Sequence, residues 1–202
     1  MKANDFEPRF QKLNDPERRL ISRLSKFGVL KSFYVFLYYA LATHLPSTSF
    51  PGGTLAQGFR VFLARKMLKH AGGGLRVARK ADIASGARIS LGDNCGLSEG
   101  LKVIGDVHVG NDLMLGPGVV MISYNHEYSD TTKPMRVQGV SMSRPITIGD
   151  DVWIGMRAMI MPGVAIGSHS IVAAGSVVTR DVPEWSIVGG NPAKIIKYRK
   201  SK

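Results

Sequence analysis

Cysteine, acidic residues and long apolar runs are all scarce in this 202-residue chain, and each scarcity closes off a class of protein. The single cysteine, Cys95, can form no internal disulfide and has no CxxC partner, which excludes a disulfide scaffold and a cysteine metal site and makes a reducing compartment the natural one. It falls four residues after Leu91, where a small inward-facing hydrophobe fits the local pattern better than a nucleophile does. Neither an HxxxH pair nor a GxxxxGK[ST] phosphate loop occurs, so no metal is expected. Asp and Glu number 15 against 27 Lys and Arg, giving a formal charge of +12. That excess attracts anions, whether a phosphorylated cofactor, an anionic lipid surface or nucleic acid, without choosing among them. Because the basic residues are scattered and no nucleic-acid motif accompanies them, nucleic acid is set aside as a partner. The longest apolar run, Phe33 to Ala42, is about ten residues, well short of the ~20 that cross a bilayer. The first residues also lack the apolar core and small-residue cleavage site of a secretory signal, and a cytoplasmic location is expected.

Glycine is abundant, with 23 residues, and its placement is periodic. From Ile148 to Thr179 a large aliphatic residue returns every six positions, at Ile148, Ile154, Ile160, Ile166, Val172 and Val178. A second series, Val152, Ala158, Val164, Ser170 and Ser176, is always small or β-branched. A period of six is neither the 3.6 of a helix nor the 2 of a flat strand. Short strands joined at turns satisfy it, with both series pointing inward and Gly149, Gly155, Gly163, Gly167 and Gly175 letting the chain turn. Each unit then buries its apolar face only by stacking on the next, so the spacing predicts a parallel β-helix with three hexads to a triangular coil. The rhythm starts at Val77 and Ile83, slips by two, and continues through Leu91, Leu97, Val103, Val109, Leu115 and Met121.

Residues 1–74 read as a helical extension. Asp15 and Pro16 open a short helix, Leu20 to Leu45 is mainly helical, and Pro46, Pro51, Gly52 and Gly53 break the chain. A second helix is expected from Thr54 to His70, with Leu55, Phe59, Phe62, Leu63 and Met67 on its inner face and Arg60, Arg65, Lys66 and Lys69 away from it. Such a basic amphipathic helix covers core or lies on an anionic membrane, so peripheral membrane contact is a second expectation. Residues 75–182 form the β-helix, and 183–202 a basic tail in which Lys194, Lys197, Arg199 and Lys200 are available to phosphate. Within the β-helix the register breaks at residues 123–145, a polar excursion that a solenoid does not need for stability and that is therefore the first place to look for chemistry.

The motifs NHEYSD at 125–130, PMRVQG at 134–139, PITIGDDVWIG at 145–155, AAGSVVTRDVP at 173–183 and GGNPAKII at 189–196 resemble those of the hexapeptide-repeat acyltransferases. The similar branch includes galactoside, maltose and nodulation-type O-acetyltransferases and those of bacterial surface polysaccharide clusters. The resemblance covers about Arg76 to Arg199 and implies a left-handed parallel β-helix, a homotrimer, acetyl-CoA bound in clefts between subunits, and a glycan hydroxyl as acceptor. It places the general base at His126, and histidine suits that task because its ordinary pKa, about 6.5, lies near neutrality. Asn125, Glu127 and Asp130 become candidates for orienting the ring or binding substrate, with a backbone carbonyl as the other orienting choice. Gly155 is the candidate oxyanion donor, and Gly155, Met156, Ala174, Thr179, Arg180, Lys194 and Lys197 line the cofactor groove. Trp153 shapes the cleft floor or caps the core, with capping favoured. The remaining histidines, His44, His70, His108 and His169, are expected to be structural or on the surface. Where galactoside-type members place an Asn against the acceptor region, this chain has Gly96, which leaves that contact to neighbours such as Asn94 or Ser98. The rival to an enzyme is a non-catalytic β-helix scaffold that docks on membranes through its N-terminal helices.

Overall fold

The structure, a computed structural model, describes residues 28–199. The helix expected at Asp15, the N-terminal part of the helix expected from Leu20, and Lys200 lie outside the described residues. Helix α1 spans Val29–Ala40, a 3-10 turn follows at Ala42–His44, and α2 spans Gly53–Met67. Neither is long and apolar enough to cross a membrane.

The rest is a parallel β-solenoid whose strands fall on three faces. The first face holds β1 (His70–Ala71), β3 (Ile89–Leu91), β6 (Val107–Val109), β9 (Ile146–Ile148) and β12 (Ala165–Ile166). The second holds β2 (Arg76–Val77), β4 (Gly96–Leu97), β7 (Met114–Leu115), β10 (Trp153–Ile154), β13 (Ile171–Val172), β15 (Ser186–Gly190) and β16 (Ala193–Tyr198). The third holds β5 (Lys102–Ile104), β8 (Val120–Ile122), β11 (Met159–Ile160) and β14 (Val177–Val178). Trp153 pairs with Ile171, Met159 with Val177 and Thr147 with Ala165, so three hexads close one coil. The first rung is set by β1, which pairs with β3 ahead of Gly72.

Both repeating series point inward. Ile148, Ile154, Ile160, Ile166, Val172 and Val178 are buried, and so are Val152, Ala158, Val164, Ser170 and Ser176. The two serines stay inside because each hydroxyl has a carbonyl to donate to, Pro183 at 2.8 Å and Ala173 at 2.7 Å. Cys95 is fully buried in the same stack, as a small hydrophobe. The edge between the first and second faces is closed by a ladder of side-chain oxygens. The Gly73 amide donates to Asp93 (2.6 Å), Asp93 to Asn111 (2.8 Å), Asn111 to Asp150 (2.6 Å) and Asp150 to Ser168 (3.0 Å). The next residue on each of these corners, Asn94, Asp112, Asp151 and His169, takes a left-handed φ between 51° and 62°. Polar short side chains that tolerate that conformation explain why the corners read Asp-Asn, Asn-Asp, Asp-Asp and Ser-His. The slip after Ile83 is a turn through Gly86, whose φ is +67° and whose added Cβ would lie 2.8 Å from the Met67 carbonyl carbon, where α2 ends.

Helix α2 presents only part of the expected face: Leu63 and Met67 are buried, Phe59 packs partly against the core, and Arg65, Lys66 and Lys69 are exposed, but Leu55, Phe62 and Arg60 depart from it. Leu55 and Phe62 are outward, at 82% and 50% exposure, while Ala56, Arg60, Leu63, Ala64 and Met67 are buried. Ala56 and Ala64 are small enough for the helix to approach the solenoid closely, and Arg60, one turn from each, lies on the same line. Its guanidinium satisfies carbonyls that the preceding turns leave open: Nε donates to Val77 (2.9 Å), and Nη1 faces Pro46 (3.2 Å), Leu45 (3.3 Å) and Ala42 (3.4 Å). Polarity thus misplaces Arg60, because a charged side chain with four carbonyl acceptors can be buried. Helix α1 is tied down by Tyr38, whose hydroxyl donates to Ala81 (2.8 Å), and by Tyr39, whose hydroxyl lies 2.8 Å from Asp82 Oδ1.

At the other end, β15 continues the second face and β16 folds back antiparallel to it. Trp185 stacks on His169 with ring centroids 4.0 Å apart, and Arg199 bonds both the His169 carbonyl (2.8 Å) and Asp151 (3.2 Å). The His169 ring, 3.0 Å from Asp151, and then Arg199 hold that carboxyl below its ordinary range. His169 is therefore structural. Arg199, expected to be available to phosphate, is instead occupied in tying the hairpin to the coils.

Candidate active site

The excursion leaves the prism after β8 and returns before β9, at the edge between the third and first faces. It does not disturb the stack, since Val107 still pairs with Ile146 and Val120 with Met159. Its two feet are joined by a closed ring of hydrogen bonds. The Asp106 amide donates to Ser123 Oγ (2.8 Å), Ser123 and Ser143 hydroxyls lie 2.8 Å apart, and Ser143 Oγ donates to the Asp106 carboxylate. Those end partners fix the middle bond, in which Ser123 donates to Ser143. Arg88 pairs with the same carboxylate at 3.3 Å.

Above the feet the loop zips into a short antiparallel ribbon. The Asn125 backbone amide donates to the Ser141 hydroxyl (3.0 Å), and its carbonyl accepts from the Ser141 amide (2.8 Å). His126 bridges to Val140, and its Nδ1 lies 3.3 Å from the Gly139 carbonyl. A carbonyl only accepts, so Nδ1 carries the hydrogen and Nε2 keeps its lone pair on the exposed side of the loop. Of the candidates for orienting the ring, the structure thus supplies the backbone carbonyl. Glu127 donates its amide to that same Gly139 carbonyl (3.1 Å) and so helps to hold it. Asp130 faces elsewhere: it accepts from Lys133 Nζ (2.7 Å) and from the Thr132 hydroxyl and amide, which hold its carboxyl down to about 2. Its own amide donates to Gln138 Oε1 (3.0 Å), so it shapes the loop tip around the short helix Met135–Gln138.

The residues assigned to the cofactor fall into three groups. Gly155, Met156 and Ala174 meet on the edge between the second and third faces, where the Gly175 amide donates to the Met156 carbonyl (2.8 Å). A Cβ on Gly155 would lie 2.5 Å from the Ala174 nitrogen, so only glycine lets these coils close. Outside this seam the surface is open: Met156 and Ala174 are exposed, and nothing lies within 4 Å of where a Gly175 side chain would project. A narrow chain with amide groups fits such a seam. Thr179 and Arg180 stand on a different edge, the one from which the His126 loop emerges, and both are exposed. Lys194 and Lys197 are exposed on β16. Trp153 is 48% exposed on the second face and does not cap the core. Asn94 donates to Asp112 (2.9 Å) and Ser98 to the Gly116 carbonyl (2.6 Å), so both neighbours of Gly96 are already engaged. Among the described residues no group of three or more His, Cys, Asp or Glu could hold a metal ion.

Gly139, Asp106 and Ser143 hold the candidate loop and are positions that sequence reading misses. They act through a carbonyl or across two chain segments, and no local spacing marks them.

Residues 145–180 match the model of the bacterial transferase hexapeptide, six repeats. The galactoside O-acetyltransferase of Escherichia coli is 30% identical over 173 residues, which cover 80% of this chain and 84% of that one. An acetyltransferase-class protein of Saccharomyces cerevisiae is 40% identical over 114 residues, and this chain spans only 57% of its length. A hexapeptide-repeat acetyltransferase of Vibrio cholerae, solved with acetyl-CoA, superposes with a TM-score of 0.70 at 26% identity, covering 87% of this chain and 90% of that one. The chain belongs to the hexapeptide-repeat acetyltransferases. It is an enzyme of the acyltransferase class.

Proposed function

We propose that the chain transfers an acetyl group from acetyl-CoA to a hydroxyl of a sugar, in a precursor of a surface polysaccharide or lipopolysaccharide. The observation that carries this reading is His126, exposed, with Nδ1 committed to a carbonyl and Nε2 free to accept a proton. Nε2 removes the acceptor's hydroxyl proton as its oxygen attacks the thioester carbonyl carbon. The C–S bond then breaks, and the imidazolium returns the proton to the departing thiolate. Gly155 and the exposed Ala174 form the seam for the pantetheine arm, and Thr179, Arg180, Lys194 and Lys197 supply cations and a hydroxyl toward the phosphates. The acetyl-CoA complex of the Vibrio cholerae relative supports the donor; the galactoside acceptor of the Escherichia coli relative supports a sugar.

The loop bearing His126 and the Gly155 seam sit on different edges of one prism, which supports a site completed by a neighbouring copy in a homotrimer. The outer side of α1, with Leu30, Phe33 and Phe36 more than half exposed, supports peripheral contact with the cytoplasmic face of a membrane, where lipid-linked acceptors reside. Purified protein should release free thiol from acetyl-CoA in the presence of its acceptor. Equal release by His126→Ala would sink the role of His126. Mixing inactive His126→Ala with an inactive Ala174→Trp variant should restore activity if the site is shared between copies.

A further inference from the structure

A groove of about 370 Å³ opens between α2, the turn that precedes it and the second face. Its lining includes three arginines, Arg60, Arg76 and Arg79, and no carboxylate. Arg60 is completely buried, and the bonds of its Nε and Nη1 go to carbonyls, which carry no formal charge to neutralise it. Arg76 is exposed on β2, and its side chain makes no ion pair or hydrogen bond within the described residues. Arg79 Nε lies 2.9 Å from Glu99, an ionic contact with a carboxylate outside the groove lining. The groove therefore sets three arginines against the single neighbouring carboxylate of Glu99, an excess of positive charge on a low-dielectric wall that concentrates anions. Gly96 forms part of the floor, and even a Cβ there would come no closer than 3.7 Å to any neighbour, so the floor is open. At the far lip Trp153 offers a half-exposed ring and Met114 an exposed side chain. Trp153 is separated from Gly155 by one residue, so the groove lies beside the proposed donor seam.

We propose that this groove binds the acidic group of an anionic acceptor, a sugar bearing a carboxylate or phosphate. Arg76 and Arg79 take the anion in charge-assisted, bidentate bonds, and Trp153 takes the apolar face of the ring. This rests on the O-acetyltransferase reading and narrows its acceptor class. The phosphates of coenzyme A carry the same chemistry, and the test separates the two sources.

Arg76→Gln, Arg79→Gln and the double variant leave the buried Arg60 in place, so the fold is preserved. Thiol release is followed with matched acceptors: glucose, glucuronate and glucose 6-phosphate. KM for the acidic sugars is expected to rise about 10- to 100-fold in the double variant, the range for losing hydrogen bonds to a charged group. KM for acetyl-CoA should stay within twofold, and Arg76→Lys should rescue only in part, because the fork is lost while the charge is kept. A rise in acetyl-CoA KM instead would assign the groove to the donor's phosphates and overturn the proposal. So would a wild-type preference for glucose over both acidic sugars. If no sugar is turned over, the catalytic reading fails separately, and binding decides. Glucuronate or glucose 6-phosphate, but not glucose, should raise the melting temperature of the wild type and not of the double variant; absence of that difference overturns the proposal.

Discussion

Removing one hydroxyl from the ring at the feet of the His126 loop gives the sharpest test of how the loop is held. In Ser143→Ala, the Ser123 hydroxyl loses its acceptor while remaining wholly buried, and Asp106 loses a donor while keeping Arg88. Leaving a buried polar group unpaired costs about 1–3 kcal/mol. The partial exposure of Ser143 lets water replace the lost donor to Asp106, so the buried Ser123 carries most of the cost. Denaturant unfolding should register that loss, and the thermal midpoint should fall by about 2–4 °C per kcal/mol. Because the same ring fixes both ends of the segment that presents His126, kcat should fall roughly tenfold while KM for acetyl-CoA changes little. Ser143→Thr retains the hydroxyl and should recover most of both losses. In a double-mutant cycle with Ser123→Ala the two changes should be strongly non-additive, since either one opens the same ring. Unchanged stability and unchanged kcat in Ser143→Ala would show that the ring positions nothing.

Gly155→Ala places a Cβ 2.5 Å from backbone of the next coil, and such overpacking should cost about 1–3 kcal/mol and weaken acetyl-CoA binding, read by unfolding and by KM. Asp130, held down to about 2 mainly by Lys133 and then by Thr132, has a folded pKa below its ordinary 3.8. Its contribution is therefore fully present above pH 4 and lost as the pH falls through about 2, so carboxyl NMR should show it ionised at pH 3 in the wild type, with the titration moved part of the way back up in Lys133→Met, where both Thr132 donors remain. Burial pushes the Cys95 thiol up, and its Sγ–H points at the Gly110 carbonyl 3.3 Å away, so Ellman's reagent should not react with the native chain until it unfolds. Rapid labelling of native protein would contradict that burial.

The solenoid was legible because its cause is local and repeated: every sixth residue must fill the same slot, and Ile148 through Val178 do so without exception. His126 stands out differently: it lies in a polar stretch that breaks the repeat, and its assignment as the base comes from the resemblance of the NHEYSD motif. Arg60 shows where such reading stops. Its burial depends on four carbonyls brought together by the 3-10 turn after α1, the loop that follows it and β2, and nothing in the helix's own pattern announces them. Asp106, Ser123 and Ser143 fail to show for a related reason, since their ring closes across segments that meet only after the solenoid has stacked. The same distinction applies to the chemistry. A candidate for chemistry can be picked out by the motif that carries it, whereas the groups that orient it are chosen by assembly. Gly139 is the clearest instance, because its side chain contributes nothing and its carbonyl sets the tautomer of His126. Substitutions at Gly139 should therefore act on the histidine through backbone geometry, with φ at +91° leaving few side chains that the position can accept.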